Sequence, residues 1–219
     1  MKWINNFQLF LFDFDGLLVN TEHLHYQAYI DMMNAQGFKL DWTFRRFCEV
    51  AHLNATALKD TLYKDFPTLS PDWTSLYAAK KKAYLTLVAA GKVELMPGVA
   101  ELLQALDAAN IRRCVATNSF AEQIELIRSQ IPLLQTIPNW ITRENYQHQK
   151  PDPDSYLTAI AQFGQPGDKI IGFEDSLRGL QALSGTSALP ILVCPTYHPL
   201  LPFAPVGTRH FDSFESISI

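Results

Sequence analysis

A chain of 219 residues, 47% hydrophobic and 18% charged, has the balance of an ordinary globular protein and enough length to bury a core without staples. Its net charge of −4 supplies no basic field for nucleic acid or an anionic membrane surface. Three widely spaced cysteines, Cys48, Cys114 and Cys194, form no CxxC pair and read as reduced, buried small hydrophobes rather than a disulfide framework.

The apolar run at residues 8–12 ends in a charged cluster, which suits a strand buried on both faces of a parallel sheet. Asp13 and Asp15 cut that run short and no small-residue cleavage site follows, so it does not read as a signal peptide. No apolar stretch approaches the ~18 residues of a membrane span. A cytoplasmic, monomeric protein is expected. From Thr21 to about Lys92 the periodicity is helical. Within it, Ser70-Pro71-Asp72 reads as an N-cap and a first-turn proline, opening an amphipathic helix through Trp73, Leu76, Tyr77 and Tyr84 that Gly91 stops. Trp42, Phe44, Phe47 and Trp73 are expected to form the core of this segment.

After Met96-Pro97-Gly98 strands and helices alternate. Residues 99–109 are helical in spacing and residues 113–116 form a strand. Ser119-Phe120-Ala121-Glu122 matches a capping box, with Ser119 as the cap of a helix reaching Ile131. A further helix starts at Asp152-Pro153 and ends at Gly164. Residues 169–173 form a strand, residues 176–183 a helix and residues 191–194 another strand. Such alternation predicts a Rossmann-like doubly wound parallel sheet. The long helical stretch after the first strand fits no simple crossover. It reads as an inserted α-helical cap at residues 21–92, within a core made of residues 1–20 and 93–219.

Polar residues gather just past the expected strand ends: Asp13 and Asp15, then Thr117 and Asn118, then Glu174 and Asp175, with Lys150 ahead of a helix. In open α/β sheets ligands bind outside the carboxyl ends of strands. Asp13, Glu174 and Asp175 together would repel unless a cation neutralised them, and hard oxygens suit Mg²⁺. Lys150 and the Thr117 hydroxyl supply donors for phosphate oxygens. Asp13 can attack phosphorus, while Asp15 protonates the leaving oxygen and later deprotonates water. The expected partner is therefore a small phosphorylated metabolite.

Asp13-Phe14-Asp15-Gly16, Thr117-Asn118, Lys150-Pro151-Asp152-Pro153 and Gly172-Phe173-Glu174-Asp175-Ser176 resemble the four motifs of haloacid dehalogenase-like hydrolases. The resemblance implies Mg²⁺ held by Asp13, the Asp15 main-chain carbonyl and Asp175, and phosphate contacts from Thr117, Asn118 and Lys150. Glu174 is either a further ligand or a charge behind the ligands. The cap position resembles the branch containing β-phosphoglucomutase and sugar-phosphate phosphatases, where Thr21, His25 and Lys80 match a hinge threonine, a histidine and a cap lysine. Lys80 also lies in Lys80-Lys81-Lys82, which reads by itself as a solvated face. His52, near the cap loop, is a further candidate for substrate contact. The mutase's Lys-Gly pair and nearby Arg on its substrate loop are replaced here by Val50, Ala51 and Asn54, and the aspartate usual before the hinge threonine is Asn20. Phosphomonoester hydrolysis is the favoured reading and a phosphoglucomutase-like transfer the alternative. A non-catalytic protein keeping the fold should have lost a motif carboxylate or the lysine, and none is lost.

Overall fold

The computed structural model describes residues 1–52, 56–70, 72–91 and 93–219. Six parallel strands form one sheet: β1 (Leu9–Phe12), β2 (Arg112–Ala116), β3 (Asn139–Ile141), β4 (Ile170–Glu174), β5 (Leu189–Val193) and β6 (Arg209–Phe211). Their order is β3-β2-β1-β4-β5-β6, so the chain reverses direction across the sheet at β1 and β4. That reversal leaves a crevice at the carboxyl ends of these two strands.

The four residues of β1 are buried, and their side chains alternate between the two faces. Leu9 and Leu11 pack with Cys114, Tyr156, Ala159 and Leu183. Phe10 and Phe12 pack on the other face with Val115, Leu102, Leu106 and Ile124. Phe173 on β4 stacks on Phe12 with ring centroids 5.4 Å apart, which ties the two site-bearing strands together. Helices α1 (Glu22–Ala35), α2 (Phe44–Ala51), α3 (Ala57–Asp65) and α4 (Trp73–Ala89) are inserted after β1, and α5 (Val99–Ala108), α6 (Ala121–Arg128), α7 (Asp154–Phe163) and α8 (Leu177–Ser184) cover the sheet.

The inserted helices share an apolar cluster of their own, built around Met32, Met33, Phe47, Leu62 and Leu76, with Trp42, Phe44 and Trp73 packed against it. Among the described residues no helix is long and apolar enough to cross a membrane. All three cysteines are free and buried.

Several local expectations change. Helix α4 is capped by Asp72, whose carboxylate accepts from the Ser75 N–H at 3.1 Å, and not by Ser70. Pro71 lies outside the described residues, as do Asn54 and Lys92. Ser119 caps no helix: α6 begins at Ala121, whose N–H donates to the Glu144 carboxylate at 3.1 Å. That helix ends at Arg128 rather than Ile131. The edge strands β3 and β6 had no counterpart in the sequence reading, because three residues are too few to establish a period.

Candidate active site

Asp13 directly follows β1, and its N–H donates to the Phe173 carbonyl at 3.1 Å. The main chain thus stays in the line of the sheet while the carboxylate reaches the cavity beyond it. Turning at once into the next segment requires Gly16 at φ +80°, in the left-handed region. A Cβ there would lie 2.2 Å from Asp175 Oδ2, so glycine also makes room for that carboxylate.

Lys150 is buried, with Nζ 2.6 Å from both Asp13 Oδ1 and Glu174 Oε1, 2.8 Å from the Ala116 carbonyl and 2.9 Å from the Tyr156 hydroxyl. Tyr156 donates in turn to Glu174 Oε1 at 2.5 Å. Asp13 and Glu174 hold the Lys150 pKa above its ordinary value despite burial, so the ammonium persists.

Carboxylate oxygens of Asp13, Glu174 and Asp175 lie within 4.8 Å of one another. Burial pushes Asp13 up to about 7 against the pull of Lys150, with Glu174 adding repulsion. Burial, then the charges of Asp13 and Glu174, raise Asp175 well above the carboxylate range. One ammonium is too little positive charge for three buried carboxylates, and Glu174 Oε2 is buried with no hydrogen-bond partner. An all-oxygen donor set of this kind fits a hard divalent cation.

Asp15 sits in a second network. Its Oδ1 accepts from Thr21 Oγ1 at 2.8 Å, and its Oδ2 from Ser119 Oγ at 2.5 Å. Gln123 Nε2 lies 3.3 Å from Asp15 Oδ1 and 2.9 Å from Ser119 Oγ. His25 Nε2 approaches Asp15 Oδ1 at 3.5 Å, while its Nδ1 is 2.7 Å from Lys80 Nζ. With the Lys80 ammonium donating to Nδ1, the ring proton lies on Nε2, facing Asp15. Burial opposes ionisation of Asp15, but hydrogen bonding and charge from His25 and the Ser119 and Thr21 hydroxyls hold its pKa below the ordinary value. Burial, then Lys80, lowers His25.

A cavity of about 410 Å³ joins the two networks. Thr117, Asn118 and Ser119 line it beyond β2, and His25, His52 and Lys80 line it from the inserted helices. Asn118 Oδ1 accepts from the Tyr146 hydroxyl at 2.7 Å, which holds the Asn118 amide in place. Lys80 is buried with Nζ over the rings of Tyr29, Tyr77 and Tyr84, so the solvated-face reading of that lysine does not hold. Burial lowers its pKa to about 8, against the pull of Asp15 and Glu22. His52 is buried and pairs with Glu22 Oε2 at 2.9 Å.

Residues 7–185 match the haloacid dehalogenase-like hydrolase family, a span that includes the carboxyl ends of β1, β2 and β4. The chain belongs to this family. Protein CbbY of Rhodobacter capsulatus is 30% identical over 194 residues, covering 85% of this chain and 84% of the relative. The probable pseudouridine-5'-phosphatase of Drosophila melanogaster is 29% identical over 190 residues, covering 84% and 80%. The crystal structure of CbbY from Rhodobacter sphaeroides in complex with phosphate has a TM-score of 0.79 at 26% identity, over 95% of each chain. A mutant of that CbbY has also been solved in complex with xylulose-(1,5)bisphosphate.

In this haloacid dehalogenase-like hydrolase the candidate residues Asp13, Asp15, Thr117, Asn118, Lys150 and Asp175 line one cavity with His25, His52 and Lys80, while Glu174 and Thr21 stand behind it, bonded to Lys150 and Asp15. Sequence reasoning missed Ser119, Gln123, Tyr84, Tyr156 and Glu22, which complete these networks. Ser119 carried a usable signal, since it stands beside Thr117 and Asn118 at a strand end, but its capping-box spacing drew it toward α6. Gln123 and Tyr84 lie on helix faces where a polar side chain has no local mark of its partner.

Proposed function

We propose that this chain hydrolyses small phosphomonoesters through an aspartyl-phosphate on Asp13, with Mg²⁺ held by Asp13, Asp175 and the Asp15 main-chain carbonyl. The observation that carries the reading is Asp13 at the end of β1, paired at 2.6 Å with the buried ammonium of Lys150 and set among further carboxylates. Bound Mg²⁺ supplies the positive charge these carboxylates lack and draws electron density from the transferring phosphoryl group.

In the first step an Asp13 oxygen attacks phosphorus, the bond from phosphorus to the substrate oxygen breaks, and Asp15 gives that oxygen a proton. In the second, Asp15 takes a proton from water, the water oxygen attacks phosphorus, and the bond to Asp13 breaks to release phosphate. Lys150, Thr117 and Asn118 hold the phosphoryl oxygens, and Lys150 offsets their growing charge. Asp15 is held as the anion in the ligand-free site. A phosphate dianion brings like charge beside it and raises its pKa, so the proton needed for the first step is acquired as the substrate enters.

Residues 21–92 act in this reading as a cap hinged near Thr21, bringing His25, His52 and Lys80 to the substrate and keeping bulk water out. Hydrolysis is favoured over transfer to a second hydroxyl because Val50 and Ala51, at the end of α2, offer no charge to grip a substrate. The names of the relatives, which include a pseudouridine-5'-phosphatase and a phosphorylated carbohydrates phosphatase of Thermotoga maritima, support the same substrate class. The decisive variant is Asp13→Asn, whose amide is not a nucleophile toward phosphorus. It is expected to fold as wild type by circular dichroism and to lose all measurable turnover of p-nitrophenyl phosphate. Near wild-type turnover would rule out the covalent route.

A further inference from the structure

Arg178 lies in the first turn of α8, three residues beyond Asp175. It is half-buried and lines the same cavity as Asp13, yet among the described residues its guanidinium makes no hydrogen bond or ion pair. The other cations in the cavity wall are engaged. Lys150 serves Asp13 and Glu174, Lys81 pairs with Glu122 at 3.0 Å, and Lys80 is held by His25 and three tyrosine rings. Glu22, a carboxylate near enough to feel the charge of Arg178, is already paired with His52 at 2.9 Å. Arg178 lines that cavity together with Tyr29 of α1 and Tyr77 of α4, and its charge is felt by both and by Tyr146 on the sheet side.

A partly desolvated guanidinium with all its donors unused, at the wall of a ligand-sized cavity, is a ready fork for a planar or tetrahedral anion. The reacting phosphate is provided for by Lys150, Thr117 and Asn118 and leaves Arg178 without work. We infer that Arg178 is a specificity residue that binds a second anionic group, phosphate or carboxylate, on the substrate whose reacting phosphate sits at Asp13. The inference rests on the phosphomonoester reading and narrows it to substrates with two charged ends.

The test is calorimetric binding in Mg²⁺ buffer to the Asp13→Asn protein, which holds substrates without turning them over. Two matched pairs serve as probes: fructose 1,6-bisphosphate against fructose 6-phosphate, and 3-phosphoglycerate against glycerol 3-phosphate. In at least one pair the doubly charged member is expected to bind about 10- to 100-fold more tightly, the scale of a charge-assisted hydrogen-bonded contact. The pair that shows the gap tells phosphate from carboxylate. Adding Arg178→Gln should close the gap, and Arg178→Lys, which keeps the charge but loses the fork, should restore part of it. A gap absent from both pairs, or one that survives Arg178→Gln, overturns the inference; so does an equal loss on both members. If Arg178→Gln fails to fold by circular dichroism, the Arg178→Lys protein must show a narrowed gap, and an unchanged one overturns the inference. Wild-type protein that hydrolyses neither these compounds nor p-nitrophenyl phosphate would defeat the phosphatase reading alone, since the affinity gap is read without turnover.

Discussion

Replacing Lys150 by methionine keeps the length of the side chain and removes its ammonium. In the native site that ammonium lies 2.6 Å from Asp13 and 2.6 Å from Glu174, with both lysine and glutamate buried. Removing one partner from a buried ion pair costs about 3–5 kcal/mol, because the other charge stays without compensation. For a chain of this size each kcal/mol lowers Tm by roughly 2–4 °C, so a fall of about 6–20 °C is expected. The loss should depend on pH. Asp13 is already raised to about 7 with the lysine present, and removing the lysine raises it further. A folded-state carboxyl pKa above the unfolded value makes the folded state the better proton binder, so stability falls as pH rises from about 4 through the raised value. The variant should therefore lie closer to wild type at pH 5 than at pH 8. Thermal unfolding followed by circular dichroism, in EDTA at both pH values, gives the answer. Adding Asp13→Asn to Lys150→Met should recover about 0.5–3 kcal/mol, the usual coupling between contacting residues. A Lys150→Met protein as stable as wild type at pH 8, or one whose loss is the same at both pH values, would refute the electrostatic account.

The same carboxylates make stability sensitive to pH and to added Mg²⁺. With EDTA present, wild-type stability should decline as pH rises above about 4, because Asp13 and Asp175 keep their protons in the fold while the unfolded chain loses them; Mg²⁺ should restore phosphatase activity and raise Tm more at pH 8 than at pH 5. Full activity in chelator would contradict this. Ser119→Ala removes the 2.5 Å hydrogen bond to Asp15, a contact to an ionised group that is worth about 1.5–3 kcal/mol. Loss of that donor raises the Asp15 pKa, so the basic limb of the kcat/KM–pH profile, set by the protonated Asp15 that the first step needs, should move to higher pH; an unmoved limb would dismiss Ser119 as a positioning residue. Gly179→Ala would put a Cβ 2.0 Å from Glu174 Oε2 and 2.1 Å from its carboxyl carbon. The carboxylate must move, and Mg²⁺ affinity in a titration followed by Tm should fall about 10-fold or more; unchanged affinity would mean that Glu174 does not shape the metal site.

The alternation of strands and helices after residue 96, the helical stretch after the first strand and the polar residues at the strand ends are legible in the sequence alone. Each of those features is local: an apolar run ending in Asp13, a Lys150 before prolines, a Glu174-Asp175 pair after a buried strand. Short spacings and residue types carry such information directly, and the strand-order rule then sends every strand end to one edge. The tertiary structure decided what depends on partners distant along the chain. Lys80 reads as solvated within its own lysine run, yet α4 packs it against α1 and buries it under tyrosine rings. Ser119 has a helix cap's spacing, but Asp15, 104 residues earlier, draws its hydroxyl into the site instead. The idle charge of Arg178 emerges only once the engagements of Glu22, Lys80, Lys81 and Lys150 are known. Burial and pairing set the charge state and direction of a polar side chain, and both are properties of the folded neighbourhood rather than of any segment of sequence.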